Sequence, residues 1–276
     1  MAVIASESGV GFERVRVSVV SDIHGNIDDL ARVAGSAEQL VVLGDLLDYI
    51  DYHDLNGGIF GAVFGPDAVE RMARLRAAGD FKAYHAYDRR LWSTVANPRA
   101  VLDEVVAARY ERVAAVLPPD TLITLGNVDI EHVWRAVAPP DLAPLDGEVV
   151  FLRGVRLGFV GGGALREPPS ASPWKSFDRS HAQFRSALAR IGDVDVLCTH
   201  VPPKIADMRL DTLAGREEMY GPGLREFIEA RQPVLALSGH VHHPRAREAA
   251  IGSTRCVNVG YFRRCPIPFV FDTDDL

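Results

Sequence analysis

The sequence predicts an α/β fold built around parallel strands, and three observations carry that prediction. A valine-rich run over Arg16–Ser21 is followed by an amphipathic helical pattern and then by the short apolar run Leu40–Leu43, the strand–helix–strand order of a parallel βαβ unit. Short apolar runs recur along the chain and end in glycine and polar residues rather than in charged surface loops. A stretch of about seventy residues between two such runs, Asp51–Pro119, is helical in pattern throughout and reads as an insertion in the same domain, a lid or a dimer surface.

The elements follow in order. After the first strand a helix is predicted over Ile27–Ala37, with Leu30, Val33 and Ala34 on one face. In the insertion, Pro66 opens one helix and Asn97-Pro98 another, as cap and first-turn residues. Its aromatics (Tyr49, Tyr52, Phe60, Phe64, Phe81, Tyr84, Tyr87 and Trp92) fit plain core packing as well as a lid. Strands are predicted over Thr121–Leu125, Glu148–Leu152 and Val155–Val160; Gly161-Gly162-Gly163 then opens a loop containing Pro168, Pro169 and Pro173. A helix over Phe177–Arg190, a strand over Val194–Thr199, a helix over Gly223–Ala230 and a strand over Val234–Ser238 come next. Short strands near Ala246–Ala250, Arg255–Val259 and Ile267–Phe271 close the chain.

Composition sets the outer bounds. The 276 residues suffice for one domain with a sizeable core, and 47% hydrophobic with 24% charged residues rules out wholesale disorder. With 30 basic and 37 acidic side chains, the net charge of −7 argues against long nucleic acid or an anionic membrane as partner. Cys198, Cys256 and Cys265 form no paired spacing, which points to a reducing, cytoplasmic setting. No run reaches the roughly 20 apolar residues of a membrane span, and the first residues, with Glu7 and Glu13, read as a tail and not a signal peptide.

Five predicted strands end in residues with metal-ligand chemistry: Asp22 and His24, Asp45, Asn127, His200, and His240 with His242. Each alone is an ordinary turn. Together, at the carboxyl ends of strands where open α/β sheets bind ligands, they gather along one edge. Imidazole and carboxylate serve manganese, iron, zinc and nickel alike, and no cysteine joins them, unlike in a structural zinc site. Asp45, alone at its strand end, has two oxygens with which to bridge two cations, and such a pair can clamp an in-line phosphoryl displacement.

In these motifs the chain resembles the calcineurin-like metallophosphoesterase superfamily: Asp22-Ile23-His24, Gly44-Asp45-Leu46-Leu47-Asp48, Gly126-Asn127-Val128-Asp129, His200 and Gly239-His240-Val241-His242. The contexts of Asp22 and His200 are similar to small bacterial phosphodiesterase-type members. The resemblance implies a four-layer α/β/β/α sandwich of two mixed sheets, here with a helical insertion. It implies two divalent ions, Mn²⁺ foremost with iron, zinc or nickel as alternatives. One would take Asp22, His24, Asp45 and His242, the other Asp45, Asn127, His200 and His240, with Asp45 bridging and Asp48 and Asp129 supporting the ligands from behind. The implied reaction is hydrolysis of a small phosphodiester or activated phosphoester by a metal-bridged hydroxide at Asp45, Asn127, His200 and His240. A phosphomonoesterase or protein phosphatase, a nuclease and a non-catalytic scaffold are the alternatives.

Many members of the superfamily carry histidine where this chain has Val128, a group that helps protonate the leaving oxygen; valine cannot. That departure favours diesters and activated esters over simple monoesters. His132 could replace the acid, although a surface or core role fits it better. His243, if its segment is extended, points away from His242. His53, His85 and His181 have no partner pattern, though His53 and His85 could touch substrate from the insertion. Arg89-Arg90 and Arg263-Arg264 could hold an anionic substrate, but solvated surface fits such pairs better.

Overall fold

Two β-sheets face each other across a shared apolar layer, and helices cover their outer faces. The computed structural model describes residues 14–165, 174 and 176–276. The expected N-terminal tail, and Pro168, Pro169 and Pro173 of the loop, lie outside them.

In chain order the elements begin with β1 (Arg16–Val20), α1 (Ile27–Ala34) and β2 (Gln39–Val42). Four helices follow, α2 (Gly58–Phe64), α3 (Pro66–Ala77), α4 (Phe81–Trp92) and α5 (Pro98–Ala114), then β3 (Leu122–Ile123) and α6 (Glu131–Val137). The second half holds β4 (Glu148–Leu152), β5 (Val155–Val160), β6 (Gly163–Leu165), β7 (Asp178–Ser180), α7 (His181–Arg190) and β8 (Val196–Thr199). It continues with α8 (Ala206–Arg209), β9 (Leu210–Asp211), β10 (Arg216–Glu217), α9 (Leu224–Arg231) and β11 (Leu235–Ser238). The last strands are β12 (Glu248–Ile251), β13 (Thr254–Asn258) and β14 (Phe269–Asp272).

The first sheet has the order β14-β1-β2-β3, and the second β12-β13-β11-β8-β5-β4. Strands β1, β2 and β3 run parallel, as do β5, β8, β11 and β13, with antiparallel strands at the margins. Side chains alternate between the faces. Val17, Val19, Val41 and Leu43 point into the layer between the sheets, against Leu157, Phe159, Val196 and Leu237 of the second sheet. Val20, Leu40 and Val42 point outward to Leu30 and Val33 of α1, Val106 and Tyr110 of α5 and Trp134 of α6. The outer face of the second sheet packs on Phe184 and Leu188 of α7 and on Leu224 and Ile228 of α9. The result is the four-layer α/β/β/α sandwich of two mixed sheets.

Several element bounds differ from the sequence reading. Helix α1 stops at Ala34, where the Ser36 hydroxyl donates to the carbonyls of Arg32 and Val33. Strand β3 keeps only two residues because it lies at the sheet edge and pairs with β2 alone. The helix expected from Phe177 begins at His181: Ser180 caps it in a reciprocal capping box with Gln183, and Asp178–Ser180 pairs with β6 instead. Pro66 and Pro98 open α3 and α5 as expected, the latter with the Asn97 side chain accepting from Ala100 N–H.

Between β2 and β3 the four helices pack largely through their aromatics. Phe60 and Trp92 are buried, with Tyr49, Tyr52, Phe64, Tyr84 and Tyr87 half-buried; Phe81 is exposed. Trp92 Nε1 donates to Tyr49 Oη at 2.7 Å, which donates to Asp88 at 2.6 Å. No helix among the described residues is long and apolar enough to cross a membrane.

Candidate metal centre

Parallel strands of both sheets end at one edge, and the loops leaving β1, β2, β3, β8 and β11 carry all seven predicted ligands to it. These loops approach so closely that glycine is required. A Cβ on Gly126 would stand 2.1 Å from Asp45 Oδ1, and one on Gly239 would stand 2.0 Å from Ser21 Oγ and 2.5 Å from Asp22 Oδ2. The backbone is also turned back on itself. Asp22, His24, Asp45 and His240 all have positive φ, 43° to 67°, which only a tightly determined loop sustains in residues with a Cβ.

Two groups of donors result. Oxygen and nitrogen atoms of Asp22, His24 and His242 lie within 4.8 Å of one another, and so do those of Asp45, His200 and His240. His24 Nδ1 is 2.8 Å from the Leu47 carbonyl and His200 Nδ1 is 2.8 Å from the Leu43 carbonyl. Each carbonyl fixes the proton on Nδ1 and leaves the Nε2 lone pair facing the centre, the arrangement of a metal-ligating histidine. His24 Nε2 then lies 3.1 Å from His242 Nε2. Asn127 Oδ1 lies 2.9 Å from His200 Nε2 and 2.8 Å from His240 Nδ1. Asp22 Oδ1 is buried without a hydrogen-bond partner, 3.4 Å from His242 Nε2. Once the proton is displaced from Nε2 of His24 and His200, the atoms that converge in each group are acceptors, a set that fits a cation.

Asp45 stands between the groups. Its Oδ2 is 3.7 Å from His24 Nε2 and 3.4 Å from His200 Nε2, while its Oδ1 accepts the Val128 N–H at 3.0 Å. Behind it, Asp129 ties two loops together. One oxygen accepts N–H groups of Asp45 and Gly126, the other the Leu46 N–H and the Tyr110 hydroxyl.

Charge and burial split the site's proton affinities. Burial opposes ionisation of Asp22, yet the imidazoles of His24 and His242 hold its carboxyl well below the usual range. Asp45 is likewise held down against burial, mainly by the charge of His200. Burial would lower His24 and His200, but the facing aspartates outweigh it and raise both to about 9. His240 falls to about 4, through burial and the neighbouring charge of His200. Burial pushes Asp48 and Asp129 up to about 6.

The sequence reading missed Arg263, placed there as solvated surface. Its guanidinium is half-buried and clasps Asp48, Asp51 and the His24 carbonyl, tying the first ligand loop to the segment that leads into α2. It was missed because its partners lie more than 200 positions away. Tyr261, also unforeseen, stacks flat on His242, centroids 3.8 Å apart. Asp178 was hidden in the predicted helix, yet its Oδ1 is buried without a hydrogen bond; a Cβ on Gly163 would stand 2.1 Å from it and 2.7 Å from Asn127 Cβ. His132, the candidate acid, is half exposed and engaged with Asp103 and Arg99 of α5.

The calcineurin-like phosphoesterase family profile matches residues 15–244, and the chain belongs to that family. A solved structure of 15% identity superposes with a TM-score of 0.61, covering 95% of this chain and 96% of its own. The Thermus thermophilus protein TT1561 superposes with a TM-score of 0.52 at 13% identity, covering 94% of this chain and 99% of its own. At those identities the likeness is one of fold. No curated protein matches the sequence significantly.

Proposed function

We propose that this chain is a dinuclear metal-dependent phosphoesterase that hydrolyses a small phosphodiester or activated phosphoester. The observation that carries the reading is the position of Asp45 Oδ2, within 3.7 Å of an imidazole from each of the two ligand groups. Asp22, His24 and His242 would hold one divalent ion, and Asn127, His200 and His240 the other, with Asp45 shared. When bound, such a pair supplies polarisation of the phosphoryl oxygens and acidification of a shared water. The donor set accepts Mn²⁺, and iron, zinc or nickel equally by type.

The chain's own contribution is positional. The Leu43 and Leu47 carbonyls fix two imidazoles in the ligating tautomer, and the Val128 N–H holds the outer oxygen of Asp45 so that the inner one faces both groups. The Val128 side chain has no proton to give, and His132 of α6 is engaged with Asp103 of α5. A leaving group that departs unaided, or one arm of a diester with an acidic alcohol, suits such a site best.

Elemental analysis of the purified protein, followed by matched aryl monoesters and diesters with Mn²⁺, Fe²⁺, Zn²⁺ and Ni²⁺, tests the reading. Two ions per chain and a diester preference are expected. A clear monoester preference would sink the diester reading, and no hydrolysis with any metal would sink the enzyme reading.

A further inference from the structure

A cleft of about 460 Å³ opens beside the first ligand group, with His24 and His242 in its wall. The helical insertion supplies one side through Tyr52, His53 and Arg76 of α3; the C-terminal segment supplies another through Tyr261 and Arg264.

Hydrogen bonding in this cleft is unequal. Its carboxylates are already occupied. Asp51 accepts the N–H groups of His53 and Asp54 and meets Arg263. Asp48 meets Arg263 as well. Asp211 accepts N–H groups of Leu213, Ala214 and His243. The guanidinium groups of Arg76 and Arg264 have no carboxylate partner among the described residues. Arg76 lies over the Tyr52 ring at 4.7 Å, and both side chains are exposed to the cleft. What the cleft lacks is an acceptor, and what its two free forks suit is a phosphate. The lining holds three arginines and three aspartates, and with Asp48 and Asp51 both drawn to Arg263, the forks of Arg76 and Arg264 are left without an ion pair among the described residues.

We infer that this cleft is a second phosphate subsite: the substrate is a small phosphodiester whose one arm carries an additional phosphate, received by Arg76 and Arg264 while the scissile phosphate lies at Asp45. This rests on the phosphoesterase reading above. It also gives the helical insertion a task, because Arg76 reaches the cleft only from α3.

Two chromogenic esters that differ in one group test it: the p-nitrophenyl ester of thymidine 5′-phosphate with a free 3′-hydroxyl, and the same ester with a 3′-phosphate. Both release p-nitrophenolate. The Mn²⁺-loaded protein is expected to show a kcat/KM ratio of about tenfold in favour of the 3′-phosphorylated ester, carried in KM, the worth of a charge-assisted hydrogen bond at a partly exposed site. Arg76→Gln and Arg264→Gln should each shrink that ratio, and the double variant should bring it to about one. Arg264→Glu should invert it through like-charge repulsion. Because the readout is a ratio within one protein, a loss of overall activity does not mimic the effect. Equal kcat/KM for the two esters, or a ratio that survives in the double variant, overturns the subsite. Competition by a single-stranded oligonucleotide stronger than by thymidine 3′,5′-diphosphate overturns the small-molecule assignment. If neither ester nor bis(p-nitrophenyl) phosphate is hydrolysed with any metal, the phosphoesterase reading itself fails.

Discussion

The two ligand groups are made of similar residues but are held in different ways. The group of Asp45, His200 and His240 sits where the two sheets meet. His200 is fully buried and its ring is fixed by the Leu43 carbonyl at the end of β2. The group of Asp22, His24 and His242 opens onto the cleft, with the His242 side chain 31% exposed. Side chains from remote segments brace it: Tyr261 stacks on His242, and Arg263 clasps the loop carrying His24. A backbone carbonyl fixes one imidazole in each group, but the group of Asp22, His24 and His242 depends in addition on the Tyr261 stack and the Arg263 clasp. The group of Asp22, His24 and His242 should therefore exchange an ion more readily, and the two should respond differently to substitution.

The largest effect should come from the residue they share. Asp45→Asn removes the charge that faces both groups, so both ions should be lost on elemental analysis. Activity should fall by more than about 100-fold, beyond what removing a supporting residue costs. Full metal content at the native rate would refute the bridging role.

Next in size is pH, which should move both groups alike. Each contains one histidine raised to about 9, His24 or His200, whereas His240 is lowered to about 4 and is neutral throughout the neutral range. A raised pKa means the proton is held more tightly, and a metal requires the imidazole free of it. Apparent affinity should thus rise by about tenfold per pH unit for each displaced proton up to about pH 9 and level off above. Calorimetric titration in buffers of different ionisation enthalpy would count the protons released; none released at pH 7 would contradict the assignment.

Arg263→Ala should separate the groups. It frees Asp48, Asp51 and the His24 loop but touches nothing in the second group. Metal affinity at the first group should fall about 10–100-fold, as for other residues that orient a ligand, with the second ion retained. Chelator stripping followed by elemental analysis gives the occupancy; simultaneous loss of both ions would show that the groups are not independently supported.

The smallest change is expected from Val128→His. Both ions should stay, and the monoester rate should rise relative to the diester rate by less than the about 100-fold at the low end of what a positioned acid supplies. An unchanged ratio would mean that an imidazole at this position does not reach the leaving oxygen.

Much of this site was legible in the chain because its ligands follow strands, and strands are short apolar runs with abrupt ends. Asp22, Asp45, Asn127, His200 and His240 each sit within two residues of a glycine or at a strand terminus, so their order alone suggested a common edge. Arg263 was not legible. An Arg-Arg pair looks like surface until the fold brings Asp48 and Asp51 against one member and leaves Arg264 facing the cleft. Asp178 was hidden for a different reason: its strand is three residues long, shorter than any periodicity can reveal, and helix α7 follows directly.

The sequence by itself determined the family, the α/β class and a set of seven candidate donors at strand ends, since local patterns of hydrophobicity, glycine and ligand type survive in one dimension. The tertiary structure decided the rest. Which imidazole nitrogen faces the centre depends on the Leu43 and Leu47 carbonyls. The midway position of Asp45 Oδ2 depends on the Val128 N–H, 83 positions along the chain. Arg76 and Arg264 come to line one cleft, without an ion pair among the described residues, only through the fold. Hydrogen-bond satisfaction is a property of three-dimensional neighbourhoods, and no pattern along the chain encodes who has been left without a partner.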